Sequence, residues 1–281
     1  MASNLYATLA EYKQFATSRG QSVTADTNDD AMITTIIESV SRYVDGYFGA
    51  GRRFYPSIQS MLFDIPSGRS LRLSKDLLEV ITLTNGDGIN ITSTEYILSD
   101  PNYTPYYQIA LRNTSTTAWI YGTNGGWQQI ITLLGVFGYR QEYSSRGWVL
   151  AGTLGAAITD TTTKAFTMTA GHTLAVGQII KIDNEIYNVS TVVANTITPN
   201  QRGDNGSTAV IHPNGAIVYT WSVQEEIKLA VLESALGVNS MRTGQPASGK
   251  MTITATGVVL RPEEVPPMAQ GIFESYRKRV A

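Results

Sequence analysis

The hydrophobic pattern of the first fifty residues predicts two amphipathic helices. Thr8 and Glu11 have the spacing of a capping box, and the apolar residues that follow recur at helical steps. A second helix begins near Asp29, whose charge suits the positive end of a helix dipole. Between Ile33 and Tyr47 the apolar residues again recur every three or four positions, which predicts one buried helix face.

The pattern changes to short alternating runs between residues 57 and 139. Turn-forming pairs with Gly, Pro, Asn or Asp separate these runs, as is typical of antiparallel strands. The predicted strands are 61–65, 71–73, 77–83, 96–99, 107–112 and 129–139.

Residues 148–220 differ again, because they carry few charges and are rich in Thr, Gly, Ala and Val. Asp183 and Asn184 separate two strand-like runs and predict a tight hairpin. We expect this block to form a small antiparallel barrel or sandwich. Trp148 and Trp221 stand at its two ends.

The last sixty residues return to helical periodicity. A helix is predicted over 222–238, a hairpin over 251–259, and a last helix after Pro266 and Pro267. The fold class expected is therefore α+β, with a helical core formed by the N- and C-terminal helices and an antiparallel β portion. Residues 1–147 and 221–281 form the predicted core domain, and 148–220 form an inserted β domain.

Composition narrows the class of protein. The 281 residues are 42% hydrophobic and 16% charged, which is typical of a globular chain, and they include no cysteine. Thiolate chemistry, disulfides and cysteine-based zinc sites are therefore excluded. The start of the chain has no signal-peptide pattern, and residues 130–139 are too short to span a bilayer, so we expect a soluble, unprocessed protein with no membrane partner.

The sequence contains no recognisable set of catalytic residues. His172 and His212 both lie in predicted turns, where a structural role is expected, and no Gly-x-Ser-x-Gly motif accompanies them. Asp183 and Glu185 are close enough to pair, but spacing alone does not make two carboxylates a hydrolytic site. We therefore predict no enzyme activity, no catalytic or metal-binding residue and no cofactor.

Two basic runs and one tyrosine-rich segment are candidates for contacts with other proteins. The basic runs suit either the negative ends of helix dipoles or an acidic protein surface. A nucleic-acid groove is disfavoured because the runs are short and the net charge is −2. The candidate interface residues are Arg52, Arg53, Tyr103, Tyr106 and Tyr107, and the second basic run is Arg277, Lys278 and Arg279.

Several segments occur in an order that is informative. They are Leu9-Ala-Glu-Tyr-Lys13, Asp29-Asp-Ala-Met-Ile33, Ile36-Ile-Glu-Ser39, Tyr43-Val44, Phe48-Gly-Ala-Gly-Arg-Arg-Phe54, Leu71-Arg-Leu73, Val80-Ile81, Ile131-Thr-Leu-Leu-Gly-Val-Phe-Gly-Tyr139, Ile227-Lys-Leu-Ala230, Val265-Pro-Pro-Met268 and Tyr276-Arg277. In this order the chain resembles the head–tail connector (neck adaptor) proteins of tailed bacteriophages. The resemblance covers residues 5–147 and 221–279, and 148–220 depart from it.

The resemblance implies a structural virion protein. Such connectors form a ring, commonly of twelve subunits, beneath the portal protein. The ring extends the DNA channel and provides a docking platform for a stopper or tail-terminator protein. It implies assembly in the host cytoplasm, a final place in the virion neck between capsid and tail, and double-stranded DNA that passes through without specific binding. The negative net charge agrees with a channel that must release DNA.

The candidate portal contacts lie in the C-terminal segment. They are Phe273, Tyr276, Arg277, Lys278 and Arg279. Two alternatives remain open at this point. The chain is another tail-completion or baseplate component, or it is a carbohydrate-binding virion protein whose 148–220 block presents Trp148, Tyr187 and Trp221 to sugars.

Overall fold

The structure is a computed structural model, and it describes residues 4–21, 27–46, 50–122, 124–242, 252–254, 257–259 and 265–278. Within these ranges the chain combines α-helices with antiparallel sheets. The predicted α+β class is therefore confirmed.

The described residues include four α-helices, which lie toward the two ends of the chain. They are α1 (Leu9–Ser18), α2 (Asp30–Asp45), α3 (Glu225–Arg242) and α4 (Pro267–Ser275). The predicted capping box of α1 is confirmed, because the Thr8 hydroxyl accepts from the Glu11 N–H and the Glu11 carboxylate accepts from the Thr8 N–H. These two bonds satisfy N–H groups that have no partner inside the helix.

Helix α3 contacts α1, α2 and α4. The helices carry apolar side chains that are fully buried; they include Ile37, Val40, Ala230, Val231 and Phe273. Ion pairs also join the helices: Lys228 Nζ lies 2.7 Å from a Glu11 oxygen, and Arg242 Nη2 lies 2.7 Å from an Asp29 oxygen. Pairs this exposed contribute about 1 kcal/mol or less each, so apolar burial dominates the packing.

Residues 57–137 form a five-stranded antiparallel sheet. Its strands are β1 (Ser57–Phe63), β2 (Ser70–Thr84), β3 (Tyr96–Ser99), β4 (Tyr106–Leu111) and β5 (Ile131–Phe137), in the order β1-β5-β2-β4-β3. The sequence predicts separate strands at 71–73 and 77–83, but the structure joins them in β2. The register shifts between Arg72 and Leu77, so a bulge, and not a turn, accounts for the polar residues there.

Gly135 holds the centre of this sheet close together. A Cβ atom at this position would lie 2.6 Å from the Glu79 carbonyl oxygen and 2.8 Å from a Leu77 methyl carbon. Only glycine therefore allows β5 to approach β2 at this point. One face of the sheet buries Leu83, Ile131 and other apolar residues in a common core.

A second antiparallel sheet contains six strands. They are β6 (Trp148–Thr153), β7 (Phe166–Thr167), β8 (Ile179–Ile182), β9 (Glu185–Val193), β10 (Thr196–Pro199) and β11 (Ile217–Trp221), in the order β6-β11-β8-β9-β10-β7. The predicted hairpin at Asp183 is confirmed: Ile182 pairs with Glu185, and Asp183 has the positive φ of 51° that a tight turn requires.

Hydrogen bonds also connect the regions next to the two outer strands of this sheet. The Thr169 N–H donates to the Thr153 carbonyl at 2.9 Å, and the Gly155 N–H donates to the Thr167 carbonyl at 2.8 Å. Twelve buried residues, among them Ile180 and Ile197, form one apolar cluster inside these strands.

Two further strands, β12 (Thr252–Thr254) and β13 (Gly257–Val259), form a short antiparallel pair in the predicted 251–259 hairpin. None of the helices in the described ranges is long and apolar enough to cross a membrane.

Backbone contacts divide the chain into two compact units, 1–55 with 148–281, and 56–147. The helices and the six-stranded sheet belong to the same unit, and reciprocal amide hydrogen bonds of 3.0 and 2.9 Å join Asn4 to Asn205 within it. The sequence predicts residues 148–220 as an inserted domain; whether they fold independently stays a prediction.

Candidate functional site

Phe54 is the point at which three distant segments of the unit formed by 1–55 and 148–281 meet. Its ring is fully buried and contacts the rings of Tyr6 and Tyr276 edge-on, with centroids 5.8 Å apart in both pairs. Its N–H donates to the Tyr6 hydroxyl at 2.8 Å, and its carbonyl accepts from the Trp221 indole at 2.8 Å. One residue thus fixes the N-terminal segment, the last helix and the end of β11.

Around Phe54, the structure brings the two predicted basic runs together. The Lys278 N–H donates to the Ala50 carbonyl at 3.2 Å, so residues 50–54 and 276–278 lie side by side. Arg53 and Arg277 are exposed, and Arg52 and Lys278 are half-buried. We refer to Arg52, Arg53, Arg277 and Lys278 as the basic surface. Arg279, predicted as a further member, lies outside the described residues.

Two of the candidate portal contacts take part in internal packing. Phe273 is only 1% exposed and packs near Tyr43, with ring centroids 6.2 Å apart. A buried ring cannot present itself to a partner, so Phe273 supports α4 from inside. Tyr276 is half-buried against Phe54, and its hydroxyl donates to Glu226 at 3.1 Å, which anchors the end of α4.

The three candidate interface tyrosines belong to the 56–147 unit. Tyr103 is 70% exposed and Tyr107 is 43% exposed, as an interface role requires. Tyr106 is half-buried and packs against the core of the five-stranded sheet. Their contact with a partner stays a prediction.

A half-buried carboxylate lies beside the basic surface at the end of α2. Asp45 accepts a hydrogen bond from the Tyr6 hydroxyl, and an Asp45 oxygen lies 3.3 Å from Arg42 Nε. Burial raises the pKa of Asp45 to about 6, although the Tyr6 hydrogen bond and the charges of Arg42 and Arg53 oppose the rise. The carboxylate therefore titrates near neutral pH.

This titration predicts a pH-dependent stability. An aspartate with a folded pKa of about 6 and an ordinary value of 3.8 stabilises the folded state fully below pH 3.8 and loses that stabilisation as pH rises to about 6. Two pKa units correspond to about 3 kcal/mol. Asp45→Asn cannot ionise, so its free energy of unfolding should gain up to about this amount relative to wild type between pH 4 and pH 7.

Urea denaturation at several pH values measures this difference. Asp100→Asn, at an exposed loop aspartate, is the control and should follow the wild-type pH profile. Parallel profiles for Asp45→Asn and wild type would show that Asp45 does not control the pH dependence.

A second charged group is buried inside the six-stranded sheet. The Glu185 carboxylate accepts two hydrogen bonds from the Arg202 guanidinium, at 2.9 and 3.0 Å, and one each from the N–H groups of Gly203 and Val210, both at 2.9 Å. Burial acts to raise the pKa of Glu185, but these bonds, together with one from His212, hold it below its ordinary value. The guanidinium also lies over the Tyr187 ring, 5.6 Å from its centre.

His212 completes this network. Its Nδ1 lies 2.7 Å from an Asp183 oxygen and its Nε2 lies 3.1 Å from a Glu185 oxygen, with the imidazole fully buried. Because both ring nitrogens already contact carboxylates, neither is directed at a substrate. The predicted structural role of His212 therefore fits this geometry, in which the β8–β9 hairpin is tied to the loop before β11.

The other histidine also has internal partners. His172 Nδ1 accepts from the Leu174 N–H at 3.2 Å, and Nε2 lies 3.1 Å from the Ala194 carbonyl. Among the described residues, no group of three or more His, Asp or Glu side chains is arranged to hold a metal ion.

Two of the three aromatic residues proposed to stack on sugars in the 148–220 block are buried, and the third is half-buried. Tyr187 is fully buried and Trp221 is 6% exposed. Trp148 is half-buried, and its ring lies edge-on to Trp221 with centroids 5.0 Å apart. These rings contribute to internal packing, because Trp148 contacts Trp221 and the Tyr187 ring lies 5.6 Å from that of Phe166 between centroids.

Arg202 is the main residue that sequence reasoning missed, because Arg202-Gly-Asp-Asn-Gly206 has the composition of a turn and gives no sign of a buried ion pair. Its presence in a charge-poor block is the signal that could have found it, since a buried charge needs a partner.

No family model, curated protein or solved structure matches the chain.

Proposed function

We propose that this chain is a head–tail connector of a tailed bacteriophage. In this proposal identical subunits form a ring, commonly of twelve in such proteins, beneath the portal protein. The ring extends the DNA channel and offers its far side to a stopper or tail-terminator protein. Its work is contact between proteins, without catalysis.

The observation that carries the proposal is the basic surface. Arg53 and Arg277 are more than 200 residues apart in the sequence. Both are exposed, and the segments that carry them, 50–54 and 276–278, lie side by side. Phe54 and Tyr276 fix both backbones beneath them. A pre-formed patch of like charge on a rigid support suits recognition of an acidic protein surface, because little ordering is needed on binding.

The proposal also includes the finer architecture. Helices α1 to α4 form the core of the ring subunit, and the six-stranded sheet closes into a small barrel that projects from it. The backbone hydrogen bonds of Thr169 and Gly155 support closure, because they join the regions beside β6 and β7, the two outer strands.

Mixing the chain with its cognate portal protein tests the proposal. We expect a stoichiometric complex in native mass spectrometry, with about twelve copies if the family analogy holds. Arg53→Glu with Arg277→Glu should weaken the complex roughly tenfold or more, because two cations become anions facing an acidic partner. The matched control is Arg72→Glu with Arg112→Glu, which reverses two exposed arginines outside the basic surface.

Three results would count against the proposal in different ways. Absence of any complex between wild type and portal would remove the connector function. Equal binding by both double variants would remove the basic surface from it. A ring of six subunits would instead favour the tail-completion or baseplate alternative.

A further inference from the structure

The 56–147 unit contains an open cleft that the connector function does not use. Its volume is about 470 Å³, within the range of small-ligand sites, which is about 300–1,000 Å³. One wall is the segment 87–95, which follows β2, and the other is the segment 116–120, which follows β4.

Hydrogen bonds hold both ends of the cleft. At one end the buried Asn85 side chain donates to the Ala118 carbonyl at 2.8 Å and accepts from the Ile120 N–H at 3.0 Å. At the other end the Glu95 carboxylate accepts from the hydroxyls of Ser115 and Thr117. The two walls are therefore fixed at a set separation before any ligand arrives.

The lining offers both donors and acceptors between these ends. Asp87 uses one carboxylate oxygen for the Ile89 N–H, and Asn90 uses its amide oxygen for the Thr84 hydroxyl. Within the described residues, the other Asp87 oxygen, the Asn90 amide nitrogen and the Thr116 hydroxyl form no hydrogen bond. An amide, hydroxyls and carboxylates together match ligand groups that donate and accept at once.

The charge of the lining rejects anions. It includes two carboxylates, Asp87 and Glu95, and no Lys, Arg or His. Phosphate groups, nucleic acids and acidic peptides would meet repulsion from these carboxylates, and the nearby Arg69 guanidinium already donates to the Ser115 and Thr117 carbonyls behind the wall.

Exposed apolar groups lie among these polar atoms. Ile89 is 66% exposed and Ile120 is 42% exposed, and both line the cleft. Tyr121 follows directly and is 60% exposed, and Trp127 is 50% exposed across the turn that the Gly122 N–H closes onto the Gly126 carbonyl. Aromatic and aliphatic surfaces of this kind pack against C–H faces, while their polar neighbours bind hydroxyls.

From these features we infer that the cleft binds a neutral glycan. A sugar ring presents hydroxyls that both donate and accept, C–H faces that pack on apolar side chains, and no charge. Asp87 and Asn90 bind the hydroxyls, and Ile89 and Ile120 contact the ring faces. This site lies in the five-stranded unit, outside the 148–220 block, and the inference does not depend on the connector function.

Saturation-transfer NMR with the full chain tests the inference. The probes are maltotriose, cellotriose and chitotriose at millimolar concentration, with glucose 6-phosphate as an anionic comparison. We expect transfer to at least one neutral trisaccharide and none to the phosphate. Thr116→Trp should reduce the transfer at least tenfold, because it fills the cleft without removing any hydrogen bond seen in the structure.

Thr114→Trp is the matched control, since Thr114 is exposed but does not line the cleft. It should bind as wild type does. Failure of all three neutral sugars, or equal binding by Thr116→Trp and wild type, would overturn the inference. Preference for glucose 6-phosphate would do the same, because it would contradict the charge argument. None of these outcomes affects the portal complex.

Discussion

Replacing Arg202 by methionine is expected to lower the free energy of unfolding by about 3–5 kcal/mol. The guanidinium makes two hydrogen bonds to Glu185, and the side chains of both residues are almost completely buried. Methionine keeps most of the side-chain length but leaves Glu185 without its main counter-charge. The cost arises from that uncompensated buried carboxylate, more than from the lost bonds themselves.

The same change also removes the hydrogen bonds that hold two segments of the chain together. Arg202 Nη1 donates to the carbonyls of Asp160 and Thr163, at 2.9 and 3.0 Å, so the guanidinium holds the segment between β6 and β7 against the β9 hairpin. Amide hydrogen exchange should therefore be faster in both segments of the variant. This local effect comes in addition to the loss of global stability that urea denaturation measures.

An exposed ion pair provides the control for Arg202→Met. Arg19 pairs with Glu233 on the helices, but its side chain is 52% exposed. Arg19→Met should cost about 1 kcal/mol or less. Comparable losses of unfolding free energy in the two variants would show that the buried Glu185–Arg202 pair stabilises the fold no more than an exposed ion pair does.

Phe54→Ala is expected to cost about 3–5 kcal/mol, the usual loss for a fully buried phenylalanine. The variant removes the ring between Tyr6 and Tyr276 and leaves a cavity at the junction of three segments. Because Tyr276 ends α4, amide protons of α4 should exchange faster than those of α3 in the variant.

Thermal unfolding and hydrogen exchange measure the two parts of this prediction. Phe15→Ala, at a half-buried phenylalanine of α1, is the control and should cost about 1 kcal/mol. Unchanged exchange in α4 after Phe54→Ala would mean that Phe54 does not support the last helix. The basic surface would then need a different structural support.

Local patterns predicted most of the secondary structure. The Thr8 capping box, the Asp183 hairpin and the strand at residues 96–99 could be found because each depends on residues close together in the chain. The bulge in β2 could not, since its polar residues look like a turn and only the pairing with β4 and β5 keeps the strand continuous.

The candidate site could be predicted only in part, because it depends on contacts between residues far apart in the chain. The two basic runs were visible in the sequence, but their proximity depends on how Phe54 packs against Tyr276. The sequence could not show whether Phe273 is buried or exposed, because an aromatic residue on one face of a short helix is compatible with both. The Glu185–Arg202–His212 network joins a hairpin to a loop far along the chain, and no spacing rule connects them.

The junction at Phe54 has a consequence for synthesis of the protein. Tyr6 and Phe54 leave the ribosome more than 200 residues before Tyr276 does. Since domains begin to fold from the N-terminal side during translation, the contact between Phe54 and Tyr276 forms only after the long segment between them has been synthesised. A chain that terminates before Tyr276 therefore lacks both this contact and two of the four cations of the basic surface, Arg277 and Lys278.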